Sequence, residues 1–184
     1  MTFTLAKWSL DDYHAMVEAG VLVDRHVELI HGDIVEMVPE GPEHTYREET
    51  LGDRLRDVLR GRACVRIAKP ITLGDSEPEP DIAIARGSHK RYEKRHPAPD
   101  DLFGVIEISD STLSRDITRK RDLYAQAGIP EYWVVDLQNR QLEIFRSPDG
   151  TTYTDRRSLP DTSTDAIALL SFSDCTIAPK DIFS

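Results

Sequence analysis

The segment DLFGVIEIS (Asp101–Ser109) is almost continuously apolar. Side chains alternate between the two faces of a strand, so a strand apolar on both is covered on both and sits centrally in its sheet. The next segment differs in period. SDSTLSRDITRKRDLYAQAG turns into a helix from about Ser114 to Ala127, ended by Gly128 and Pro130. The connection is short, which predicts that this helix packs on the strand before it.

The other elements build around this pair. SLDDYHAMVEAG reads as a short helix capped by Ser9 and ended by Gly20. Val27 to Val38 reads as a hairpin with His31-Gly32-Asp33 near its turn. A helix is expected from about Glu43 to Arg60, stopped by Gly61, with Leu51, Leu55, Val58 and Leu59 as its buried stripe. ACVRIA, ITL and PDIAIA (Pro80–Ala85) read as short strands, with SEPEP as an acidic loop. EYWVVDLQNRQLEIF gives two strands joined at Gln138 to Arg140, and TTYTDRRS and IALLSF give further short ones. No internal repeat occurs. The expectation is one domain over residues 1–184, of α/β or α+β class: a mixed sheet flanked by helices.

No apolar run approaches the roughly 18 residues of a membrane span. The N-terminus has no charged start followed by a long apolar stretch, so no signal peptide is expected. Cys64 and Cys175 lack CxxC spacing and read as reduced, buried thiols of a cytoplasmic protein. GxxxxGK[ST], HExxH and GxSxG are all absent, which removes support for a phosphate-cradling loop, a zinc protease and a serine hydrolase.

Several polar residues fall where apolar ones belong. Asp81 opens a strand on the face of Ala83 and Ala85, whose small side chains leave room for an ion or substrate. Glu107 lies within VIEIS on the face of Phe103 and Val105; an acid there is costly unless paired or metal-bound. Lys120 lies on the helical stripe Leu113, Ile117, Lys120, Tyr124, Ala127, with steps of four, three, four and three. His44 is two turns before Leu51 on the earlier helix, and Glu28 alternates with Val27 and Leu29. Each has a plain alternative: a buried salt bridge for Glu107, a snorkelling stem for Lys120, a satisfied core imidazole for His44, a paired strand acid for Glu28. Together they suggest other chemistry. Two carboxylates on adjacent strands can hold a hard divalent cation, and a lysine beside them can stabilise charge on a phosphate.

The net charge of -10 opposes nucleic-acid binding, but it is unevenly spread. Arg86, Lys90, Arg91, Lys94 and Arg95 face one acid, Glu93, within a single segment; Arg115, Arg119, Lys120 and Arg121 form a second basic run. Either is a solvated face unless it flanks a site.

VELIHGDIVEM, GPEHTYREETLGDRL, EPDIAIA and the stretch from Glu107 through Leu137 resemble the Uma family of restriction-endonuclease-like proteins, within the PD-(D/E)XK superfamily. The likeness runs from about Trp8 to about Phe183. It implies a restriction-endonuclease-like mixed sheet with hairpins near both ends, and metal-dependent hydrolysis of phosphodiesters, with DNA as the partner. Asp81 is then the acid of the PD motif and Glu107 that of the (D/E)XK motif. Both are metal ligands for Mg²⁺ or Mn²⁺, together with Ile108, which can offer only its backbone carbonyl. The superfamily's usual lysine would fall at Ser109, which cannot do that job; the resemblance moves it to Lys120. Glu28 matches the family's N-terminal acid, His44 a histidine lining the site, and Tyr124 a supporting tyrosine. Arg86, Lys90, Arg91, Arg115 and Arg119 are the expected nucleic-acid contacts. Two other readings stay open: an idle nucleic-acid-binding or scaffold protein that keeps the fold, and a hydrolase of small phosphoesters. A groove edged by those five cations favours the nuclease; a narrow acidic pocket without a basic rim favours the phosphoesterase. A double-strand cut would be served by a symmetric dimer.

Overall fold

The computed structural model describes residues 4–184. Ser9 opens α1 (Leu10–Glu18) with a reciprocal box: its hydroxyl accepts from the Asp12 N–H, and the Asp12 carboxylate accepts from the Ser9 N–H. β1 (Val27–Ile30) and β2 (Asp33–Glu36) pair antiparallel around His31 and Gly32. Those two residues have φ of 49° and 73°, the left-handed pair that a two-residue hairpin turn requires. α2 (Pro42–Val58) buries Glu48, Leu51, Gly52 and Leu55, and Leu59 just beyond its end is fully buried. Val58, expected on this stripe, is 46% exposed. At about 100° per residue the buried face centres on Leu55, which leaves Val58 at its rim.

β3 (Cys64–Ile67), β4 (Ile82–Ala85), β5 (Leu102–Ser109), β6 (Glu131–Asp136), β7 (Gln141–Pro148) and β8 (Tyr153–Pro160) lie side by side in that order as a six-stranded sheet. Only the β5–β6 pair is parallel. Between those two strands the chain makes α3 (Leu113–Arg115), a π-helical turn (Asp116–Lys120) and α4 (Arg121–Gln126). Gly128, at φ 75°, lies just past the helix end. β9 (Ile167–Leu169) and β10 (Phe172–Ile177) form a C-terminal hairpin. The expected strand ITL is only an isolated bridge between Leu73 and Ser76. The short α5 (Pro179–Phe183), which no sequence pattern announces, closes the chain.

The sheet is covered on both faces. Ile82, Ile84, Ile106, Ile108 and Trp133 pack with Leu51 and Leu55 of α2 and with the C-terminal hairpin. Ala83, Ala85, Val105, Tyr132 and Val134 pack with Leu123 and Tyr124 of α4. The alternation expected for β4 therefore holds. Phe103 does not follow the expected pattern for β5. The register against β4 shifts between Ile84, opposite Gly104, and Ala85, opposite Leu102. Phe103 is the extra residue of this bulge and packs on the α2 side, away from Val105. Cys64 and Cys175 are free and buried.

Gly104, beside the bulge, is held by packing. A Cβ there would lie 2.9 Å from the carbonyl oxygen of Glu131 on β6. Gly104→Ala is expected to cost about 1–3 kcal/mol in denaturant melts, because backbone must move to admit the methyl. An unchanged melt would mean that β5 and β6 separate without penalty.

Candidate active site

β4 and β5 run antiparallel, so the start of β4 and the end of β5 meet at the same end of the sheet. Asp81, immediately before β4, and Glu107, near the end of β5, reach the same cleft there, which Glu40, His44, Ile108, Arg115 and Lys120 also line. The Ile108 N–H donates to Asp81 Oδ2, fixing that carboxylate against β5. Glu107 points to the α4 side and is 3% exposed. Its Oε1 accepts from Lys120 Nζ at 2.9 Å and from the Tyr124 hydroxyl at 2.6 Å.

Lys120 ends the π turn and is 2% exposed, so the inward stripe is real at its centre. The turn is not the regular helix that the spacing predicts. Asp116, four residues before Lys120 on the same face, is buried as well. Asp116 Oδ2 accepts from Ser109 Oγ at 2.7 Å and Thr112 Oγ1 at 2.6 Å. Ser109, where the superfamily's lysine would fall, thus ties the strand end to the helix start. Glu28 reaches in from β1 with a fully buried side chain; its Oε2 lies 3.5 Å from Lys120 Nζ and accepts from the Glu79 N–H at 3.3 Å. His44 projects from the first turn of α2, with Nε2 3.2 Å from Asp81 Oδ2 and Nδ1 3.4 Å from Glu40 Oε2.

The charges are densely placed. Burial pushes the Glu107 carboxyl up to about 8 against the pull of Lys120, with Asp81 and Asp116 adding to the rise. Burial opposes the Lys120 ammonium, but Glu107 and Glu28 hold it protonated well above the usual lysine range. His44 is likewise opposed by burial, yet Asp81, then Glu40 and Glu48, lift it to about 9. Burial raises Glu48 to about 7. Glu28 Oε1, Asp116 Oδ1, His44 Nδ1 and Glu48 Oε1 are buried without a hydrogen-bond partner.

A family model described as "Uma2: Putative restriction endonuclease" matches residues 10–178. The chain belongs to the Uma2 family. The match spans every residue that lines the cleft. A solved structure described as a "putative nuclease belonging to DUF820", from Anabaena variabilis ATCC 29413, shares the fold with a TM-score of 0.74. It is 19% identical, and the alignment covers 95% of this chain and 97% of that one. A search of curated protein sequences finds no match. Among the described residues, no helix is long and apolar enough to cross a membrane.

The five cations expected along the Uma2 cleft divide. Arg115 lines the cleft, and Arg115 and Arg119 line the groove that continues it. Arg86, Lys90 and Arg91 do not reach it. Asp81 precedes β4 and Arg86 comes after it, so they stand roughly 16 Å apart at about 3.3 Å per residue. Arg86 donates to the Asp100 carbonyl and lies over the Phe103 ring at 4.2 Å. Arg91 and Arg95 bind the buried Asp101 carboxylate, and Lys90 precedes Arg91 in the short helical turn His89–Tyr92. Much of this basic segment serves to hold its own loop.

The grip of the two arginines on Asp101 carries a pH signature. Arg95 first, then the Ala98 N–H and Arg91, against the opposing effect of burial, hold its carboxyl well below the usual carboxylate range. A depressed folded-state pKa stabilises above the unfolded value of about 4 and loses that contribution as pH falls through the folded value. Asp101→Asn should cost about 2 kcal/mol at pH 7 and flatten the acid limb below about pH 4. Equal acid limbs in the two proteins would show that the arginines do not depend on Asp101.

Glu40, Glu48 and Asp116 escape a reading of the sequence. Glu48 carries a signal, since it lies four residues after His44 and three before Leu51. Asp116 carries the same kind of signal, three residues after Leu113 and four before Lys120, whereas Glu40 precedes the helix and carries none.

Proposed function

We propose that the chain is a divalent-metal-dependent endonuclease that hydrolyses phosphodiester bonds in DNA. The observation that carries this reading is the buried Lys120 ammonium, 2.9 Å from Glu107 in the cleft that Asp81 lines. The donors suit a hard cation such as Mg²⁺ or Mn²⁺: carboxylates dominate, and buried oxygens of Glu28 and Asp116 accept no hydrogen bond and have only Arg115, at 3.9 and 3.7 Å, as a cation nearby. Asp81, Glu107 and the Ile108 carbonyl would hold it. When bound, the cation supplies Lewis-acid polarisation of the phosphodiester and lowers the pKa of an attacking water.

The chain's own residues do the rest. Lys120, fixed between Glu107 and Glu28, orients the water and stabilises charge on the phosphate. Tyr124 and Lys120 both donate to Glu107 Oε1, which leaves the other oxygen to neither of them. His44 flanks Asp81 on the opposite wall. Arg115 and Arg119 grip the backbone beyond the cleft.

The test is cleavage of supercoiled plasmid at low salt with Mg²⁺, Mn²⁺ or EDTA, beside Asp81→Ala. Metal-dependent nicking that the variant loses by more than about 100-fold is the expected result. Retained cutting in Asp81→Ala would remove Asp81 from the reaction. The small-phosphoester reading draws support from the position of Arg86, Lys90 and Arg91 off the cleft. It would replace the nuclease if the protein neither cuts nor shifts DNA and yet hydrolyses bis(p-nitrophenyl) phosphate.

A further inference from the structure

β8 is the open edge of the six-stranded sheet, on the side away from the cleft. Among the described residues, no backbone hydrogen bond joins Tyr153–Leu159 to any segment but β7. An open edge is a template for a further strand, and proteins blunt such edges with short length, lysine, internal proline, a bulge or a covering element. β8 runs for eight residues, pairs with β7 without a register shift, has no lysine and carries its proline last. Thr154 to Ser158 are all exposed, on both faces, whereas Leu142 to Phe145 of β7 are all buried. β8 therefore projects beyond the layers that cover the sheet.

Its side chains leave the edge clear. Thr154 Oγ1 donates to the Ser147 carbonyl, Arg156 Nε to Glu143 Oε2 at 2.9 Å, and Ser158 Oγ to Glu143 Oε1 at 2.7 Å. All three turn back onto β7, and the Arg156 guanidinium lies over the Phe145 ring. The other face carries Asp155 and Arg157. Among the described residues Arg157 pairs only with the exposed Asp165, and Asp155 pairs with no cation.

We infer that β8 is a homodimer interface, at which the edge strand of one copy adds antiparallel to that of a second and joins the two sheets into one. Antiparallel strands related by a two-fold axis pair symmetrically about one residue. Centred on Arg156, the pairing sets each Asp155 opposite the other copy's Arg157 and each Thr154 opposite Ser158. Two opposite-charge pairs result. Arg156, which meets itself, is already neutralised by Glu143 and lies back over its own sheet. Main-chain hydrogen bonds supply the affinity and the charge pairs fix the register. β8 runs parallel to β5, so this addition turns the two clefts to opposite ends of the joined sheet. The dimer does not bring them together on one duplex, and the inference stands whether or not the cleft cuts DNA.

The experiment is sedimentation equilibrium of the full chain, with amide hydrogen exchange read at low and high protein concentration. The wild type should dimerise, and the outward-facing amides of β8 should exchange more slowly as it does. Arg157→Glu sets acid against acid twice and should weaken the dimer at least about tenfold. Asp155→Arg/Arg157→Asp exchanges the roles of the two residues and should restore it. These side chains are exposed, so all three proteins should melt alike as monomers. A wild type that stays monomeric up to its solubility limit would overturn the inference. So would a dimer indifferent to Arg157→Glu, a double variant that fails to recover, or a dimer whose β8 amides gain no protection.

Discussion

Lys120→Ala should slow metal-dependent plasmid cleavage roughly 100- to 1,000-fold and, in metal-free buffer, lower stability by about 3–5 kcal/mol. The kinetic loss arises from the position of Nζ, which lies 2.9 Å from Glu107 at the edge of the cleft. The stability loss arises from burial. Removing the ammonium leaves Glu107 and Glu28, which are 3% and 1% exposed, without their counter-ion. From sequence alone, an unchanged melt would mark a catalytic Lys120 and a large loss a structural one. The geometry removes that distinction, because the same ion pair serves both ends. Divalent cation restores the distinction. Added Mg²⁺ should recover part of the melting temperature of Lys120→Ala by compensating the bare carboxylates, while cleavage stays low. Recovery of cleavage with stability would show that Lys120 only holds the cleft together.

The central pair of elements was legible because two periods change at a known place. Asp101–Ser109 is apolar throughout, then a helical stripe begins, and the structure shows a central strand and an inward-facing helix there. Asp81 could be placed because its strand alternates cleanly, and Lys120 because a lysine among Ile117 and Tyr124 breaks an otherwise apolar face. The hidden features depend on pairing rather than on local pattern. The bulge that sends Phe103 to the α2 side exists only in the register of β5 against β4. The π turn at Asp116–Lys120 is hidden because its sequence keeps the three- and four-residue steps that suggest a plain helix. The basic segment misled for a third reason. Charge runs show how many cations a segment has, and only tertiary structure shows that Arg91 and Arg95 are committed to the buried Asp101.

The acidic net charge reads differently once the cleft is visible. Glu40, Asp81, Glu107, Asp110 and Asp116 line it, so part of the -10 belongs to the site and not to the outer surface. The outer surface still offers a polyanion little: Arg115 and Arg119 are the rim cations on the groove. Two phosphate contacts give a salt slope near −2, so affinity should fall about tenfold between 50 and 200 mM salt rather than by the thousandfold of strongly basic nucleases.

The double variant Glu107→Gln/Lys120→Met separates the plain salt-bridge reading from the catalytic one. Each single change breaks a buried ion pair. Lys120→Met alone leaves Glu107 uncompensated, and Glu107→Gln alone leaves the ammonium to Glu28 at 3.5 Å. Replacing both partners removes both charges while keeping volume, because methionine fills the track of the lysine stem and the glutamine carbonyl still accepts from Tyr124. The double variant should therefore melt well above Lys120→Met but short of the wild type, because buried Glu28 keeps only Arg115, at 3.9 Å, as a cation nearby. On the proposed mechanism cleavage should remain at least roughly 1,000-fold down, since the carboxylate proposed to hold the metal and the ammonium proposed to stabilise charge are both gone. A double variant that regains stability and also cuts would show that the buried pair is architecture, and the reacting groups would then have to be sought among Asp81, His44 and Glu40. Stability regained without cutting would leave one consistent account: the pair that makes β5 and the helix after it cohere also carries the chemistry, which explains why an acid and a lysine occupy positions that packing alone would give to leucine.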